Sequence, residues 1–125
     1  MSLTFNDITF DCADPTRLAD FWANALDRSI GERTEDYASL PAAKAGEPSL
    51  HFIRVPEGKT AKNRIHFDLG TSDRLDEVVR LVNLGATPVA ERSENGYVWT
   101  VLHDPEGNEF CVVEQADATP GEAAP

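Results

Sequence analysis

Apolar and polar residues alternate along Thr4 to Cys12, with Ile8, Phe10 and Cys12 on one parity and Asp7, Thr9 and Asp11 on the other. That period of two predicts a strand whose faces meet different surroundings. The period then lengthens. Leu18, Phe21, Trp22, Ala25 and Leu26 recur at helical spacing behind Asp14, a good N-cap, and Pro15, which suits the first helical position. Phe21 and Trp22 read as core, since burying such rings contributes through area alone. Two short strands are expected near Ile30 to Arg33 and Tyr37 to Leu40, then a loop over Pro41 to Pro48 and a strand from Ser49 to Val55 that carries His51. A polar connector, Pro56 to Asn63, follows.

The alternation then starts again. Ile65, Phe67 and Leu69 share one parity, and His66 and Asp68 share the other. A second helix is expected from Ser72, as its cap, to Leu84, with Leu75, Val78, Val79 and Val82 on its buried stripe and Gly85 ending it. Strands over Thr87 to Glu91 and Tyr97 to Leu102 flank an Asn95-Gly96 hairpin signal. Asp104-Pro105-Glu106-Gly107 fits a type I turn, and Asn108 to Glu114 reads as the last strand. Ala116 to Pro125 is small and acidic, and is expected to be a disordered tail.

Laid over one another, the two halves match. Ile8 falls on Ile65, Asp11 on Asp68 and Leu18 on Leu75, all at one constant offset. Each half reads as strand, helix, three strands. The fold class expected is therefore α+β, two tandem βαβββ modules (about 4–55 and 63–115, together one domain) forming a curved mixed sheet around a shared cleft. The polar strand parity would line that cleft, because dry burial of unpaired carboxylates is costly.

Composition narrows the partners. With 22 acidic against 11 basic residues the chain carries a formal charge of −11, which disfavours nucleic acid and anionic membrane surfaces and leaves a small-molecule ligand. No apolar run reaches a membrane span. Cys12 and Cys111 fall in expected strands with no secretory signal ahead of them, so a cytoplasmic location with reduced thiols is expected.

The repeat, the segment Asp14-Pro15-Thr16-Arg17-Leu18-Ala19-Asp20-Phe21-Trp22, the strand Asn63-Arg64-Ile65-His66-Phe67-Asp68, the Leu84-Gly85-Ala86 helix end and the Asp104-Pro105-Glu106-Gly107-Asn108-Glu109-Phe110-Cys111 turn and strand resemble the vicinal oxygen chelate superfamily. Glyoxalase I, bleomycin-resistance proteins, fosfomycin-resistance transferases and extradiol dioxygenases belong to it. The likeness is nearest to its small glyoxalase-like branch and covers about residues 5 to 115. The resemblance implies a homodimer and, in metal-using members, a divalent ion held by the first, fourth, fifth and eighth strands. His66 stands where the family's histidine ligand stands, Asp7 and His51 match the first- and fourth-strand positions, and Cys111 occupies the place of the usual glutamate. Glu114 points to the other face.

Two readings stay open, beside a third in which the chain is a regulatory or accessory module without a catalytic role. In the first, Asp7, His51, His66 and Cys111 bind zinc, nickel, cobalt, iron(II) or manganese. The ion polarises adjacent oxygens of a small substrate for a lyase, isomerase or dioxygenase reaction, with Asp68 or Glu109 moving the proton and Asp11 meeting the substrate or orienting an imidazole. In the second no metal is bound, Cys111 is a small buried hydrophobe, and Trp99, with Tyr97, forms the wall of a drug-sequestering or other binding protein of the bleomycin-resistance type. Lys59, Lys62 and Arg64 would favour an anionic ligand if they face it, though a solvated connector explains them equally. His103 reads as a surface residue.

Overall fold

A computed structural model describes residues 2–115, and the expected tail at Ala116 to Pro125 lies outside them. The chain forms two compact units, Met1–Lys59 and Thr60–Pro125. Each has its own sheet and helix.

In the first unit, β1 (Asp7–Cys12) pairs in parallel with β3 (Ser49–Arg54), which pairs antiparallel with β2 (Tyr37–Leu40). Helix α1 (Pro15–Leu26) starts where the sequence places it: the Asp14 carboxylate accepts from Arg17 N–H at 3.2 Å, and Pro15 opens the first turn. Leu18, Ala19, Phe21 and Trp22 are buried on its inner side. Phe10 stacks on Phe52 at 5.0 Å and lies 6.0 Å from Trp22, which meets Phe21 edge-on. Burying each large side chain contributes roughly 1.5–3 kcal/mol, and the rings fix how the helix sits on the strands. Asp27, in the left-handed region, ends the helix.

The strand expected at Ile30 to Arg33 reduces to one bridge, Arg33 to Ala38. Its residues are largely polar and exposed, so little apolar burial supports a longer ladder. Ser39 secures the segment instead, with its carbonyl accepting from Gly31 N–H and its hydroxyl from Glu32 N–H.

The second unit orders its strands β4 (Phe67–Thr71), β7 (Glu109–Glu114), β6 (Tyr97–His103) and β5 (Thr87–Glu94), with α2 (Arg74–Leu84) after β4. Asn95 and Gly96 both adopt positive φ, as a two-residue type I′ hairpin requires, and β5 runs on to Glu94. Gly85 at φ 124 ends α2 as expected.

Two expectations for α2 fail. Asp73, not Ser72, is the N-cap, and it makes no side-chain capping bond. Its carboxyl is engaged with Asp76, which raises its pKa above the usual carboxylate value. The apolar stripe is also turned: Leu75, Val79 and Val82 are exposed, whereas Arg74 and Leu81 face inward. Arg74 sets that rotation, donating to Glu91 and to the buried Thr100 hydroxyl at 2.6 Å each, with Glu114 3.6 Å from its Nε. The line Arg74, Val78, Leu81 therefore faces the sheet.

Candidate functional site

In the first unit the polar parity of β1 carries Asp7, Thr9 and Asp11, and parallel register sets Thr9 beside His51. Tyr37, on β2, places its hydroxyl 2.7 Å from His51 Nδ1, and Asp7 Oδ1 lies 3.2 Å from His51 Nε2. An ionised carboxylate only accepts, so a neutral His51 carries its proton on Nε2, donates it to Asp7, and accepts a hydrogen bond from the Tyr37 hydroxyl at Nδ1. The imidazole is thus held from both sides. Asp11 is exposed on the same parity, and its side chain makes no hydrogen bond or ion pair among the described residues.

The second unit gathers a larger group. Register aligns Asp68 with Cys111 across β4 and β7, and Cys111 with Val101 across β7 and β6. His66, one residue before β4, brings Nε2 within 3.3 Å of Asp68 Oδ1. One ligand atom from each of His66, Asp68 and Cys111 falls within 4.8 Å of the others. Burial, reinforced by the Asp68 and Glu109 charges and a hydrogen bond with Asp68, pushes the Cys111 thiol up to about 11. Without an ion the thiol is therefore protonated at neutral pH.

Glu109 sits on the same face, paired in register with His103. Lys62 donates to its carboxylate at 2.6 Å and holds it below the usual glutamate range despite desolvation, aided by His66 and His103. It is therefore a carboxylate at neutral pH. Asn63 accepts from Glu109 N–H, tying the connector to β7 next to Lys62. Upstream, buried Asp104 accepts from Glu106 N–H, Asn108 N–H and the Asn108 amide, which fixes the turn from which β7 leaves.

Farther along this face the lining becomes apolar. Val101, Cys111 and Val113 form a buried cluster against which Ala90 and half-buried Trp99 pack. Tyr97 lies at the exposed hairpin end. Glu114 points to the helix side, as its parity requires, and meets Arg74 there.

The expected site residues thus gather by unit, Asp7 with His51 in one and His66, Asp68, Glu109, Cys111 and Trp99 on one sheet face of the other. Tyr37 and Lys62 are partners the sequence reading did not assign. Tyr37 reaches His51 through the non-local pairing of β2 with β3 and left no signal. Lys62 had one, its place in the basic connector.

The donor set suits a transition metal. Imidazole, carboxylate and thiolate favour zinc, cobalt, nickel or iron(II) over magnesium. Tetrahedral zinc bonds of about 2.0–2.3 Å place ligand atoms roughly 3.3–3.8 Å apart, so small side-chain rotations would close the present spacing.

A family model described as a glyoxalase-like domain matches residues 7–113. Among solved structures, an enzyme of the glyoxalase/bleomycin resistance protein/dioxygenase family from Burkholderia phytofirmans PsJN superposes with a TM-score of 0.72 at 19% identity, over 90% of this chain and 98% of that one. The fosfomycin resistance protein FosX from Mesorhizobium loti gives 0.68 at 13%, over 92% and 93%. The bleomycin-binding protein of Streptomyces verticillus, solved with copper(II)-bleomycin, gives 0.61 at 14%, over 92% and 98%. At these identities the likeness is one of fold. A search of curated proteins finds no match.

Proposed function

Because the chain belongs to the glyoxalase-like domain family, we propose that it binds a small molecule on the sheet face of its second unit, through a divalent metal held by His66, Asp68 and Cys111. One observation carries the reading: three donors of different chemistry converge within 4.8 Å on a face that also holds the Lys62-paired carboxylate of Glu109. A bound ion would supply Lewis acidity toward adjacent oxygens of the ligand. Glu109, kept ionised by Lys62, is the proton acceptor for a lyase, isomerase or dioxygenase reaction. His66 and Asp68 orient one another, and burial of Cys111 keeps that side of the site from water.

A second reading, binding without metal, draws on Trp99 packed beside the same cluster and open on its remaining surface. Elemental analysis of protein purified without a metal-binding tag separates the two, followed by melts with zinc, cobalt, nickel, iron(II) or manganese. Saturation at a hundred times Kd adds roughly 2.7 kcal/mol and raises Tm by several degrees. Near-stoichiometric metal, with the shift lost in His66→Ala, is the expected result. No metal and no shift would leave the metal-free reading.

A further inference from the structure

The strand registers set two rows of side chains across the donor-bearing face. One row runs Asp68, Cys111, Val101, Ala90, and the next runs Gly70, Val113, Trp99, Arg92. The first begins in ligand atoms and ends in small apolar groups. The second ends with an indole beside a guanidinium. Directly paired antiparallel residues hold their Cβ atoms about 4.5–5.5 Å apart, so the Arg92 head lies within reach of the open part of Trp99.

Arg92 is exposed and makes no ion pair among the described residues. Of the other cations of this unit, Lys62 is committed to Glu109, Arg74 to Glu91 and Arg80 to Glu77, and Arg64 lies ahead of β4, off these two rows. Glu94 shares the parity of Arg92 at the hairpin end without bonding to it. Arg92 stands two strands across and two residues along from Cys111, which spacings of about 4.8 Å and 3.3 Å make roughly 12 Å between backbones.

We propose that the ligand of this face is an aromatic carboxylate: its oxygens meet the His66, Asp68 and Cys111 end, its ring stacks on Trp99, and its carboxylate pairs with Arg92. Only the chelating end rests on the metal reading. A planar fork matches a carboxylate with two parallel hydrogen bonds. A single negative charge suits the place better than a phosphate dianion, which would stand near Glu94 in a chain already at −11.

The test compares 3-(3,4-dihydroxyphenyl)propionate with 4-propylcatechol, which keeps the ring and oxygens and lacks the charge. Calorimetric Kd values are measured on zinc-loaded and zinc-free protein. The acid is expected to bind about tenfold tighter, Arg92→Gln to erase that difference by weakening the acid, and Trp99→Leu to weaken both. Equal affinities in the unmodified protein, or a preference that survives Arg92→Gln, would overturn the proposal. Failure to take up zinc would remove the metal reading alone, because the acid-against-neutral comparison on zinc-free protein still decides the role of Arg92.

Discussion

Cys111 links packing to chemistry at a single side chain. Its thiol titrates at about 11 instead of the ordinary 9.0, first through burial and then through the Asp68 and Glu109 charges. Below pH 9 both folded and unfolded chains hold the proton, and the full contribution is present. Between about 9 and 11 the unfolded chain releases a proton that the folded chain keeps, so stability falls, by up to about 2 kcal/mol. Urea titrations from pH 8 to 11 should show that loss in the wild type and a shallower one in Cys111→Ala, whatever the variant's absolute stability. Parallel curves would remove Cys111 as the source. The same proton must leave before the sulfur can ligate, so zinc should bind more tightly as pH rises below that range. The strand that carries Cys111 was legible from the alternation after the Asp104 turn, and its place among the donors was implied only by the family resemblance. Its partner Asp68 was legible only as an acid on the same face, because the sequence does not say which carboxylate closes on which imidazole.

Elements show where the repeat misleads. Leu18 and Leu75 match in sequence, yet Leu18 is fully buried and Leu75 is 63% exposed. Both helices are amphipathic, but apolar residues of α2 lie on two adjacent lines, and periodicity alone cannot choose between them. Arg74 chooses, because its partners Glu91, Thr100 and Glu114 come from three strands that the chain reaches only later. Its Nε is left without a hydrogen bond, a cost inside the contact that orients the helix. Arg74→Ala should therefore cost about 2–3 kcal/mol in urea unfolding, since it strands the buried Thr100 hydroxyl and deletes the packed stem. Glu91→Ala should cost under about 1 kcal/mol, because that carboxylate is 66% exposed and water replaces its partner. If the two losses are equal, the ion pair and not the packed stem carries the stability. The last two strands, by contrast, were legible almost to their ends, because alternation, the Asn95-Gly96 turn and the Asp104 turn each constrain the same registers, whereas the strand expected at Ile30 to Arg33, with little apolar burial behind it, is a single bridge.

For the whole molecule, a charge of −11 and a candidate carboxylate ligand pull in opposite directions. The net field repels an anion at distances of tens of ångströms, whereas Arg92 attracts it only at close range. Salt separates the two, since the screening length falls from about 30 Å at 0.01 M to about 8 Å at 0.15 M. Adding salt should thus raise the association rate constant of 3-(3,4-dihydroxyphenyl)propionate, against the usual trend for a ligand held by an arginine, while its dissociation also quickens as the exposed pair weakens. The neutral 4-propylcatechol should show neither change. Stopped-flow fluorescence of the zinc-free protein at the two salt concentrations would read both constants. An association rate that falls with salt would mean that the basic groups near the face, Lys62 and Arg92, outweigh the remaining acids as seen by the incoming ligand. The encounter would then be steered by the face's own field and not by the charge of the whole chain.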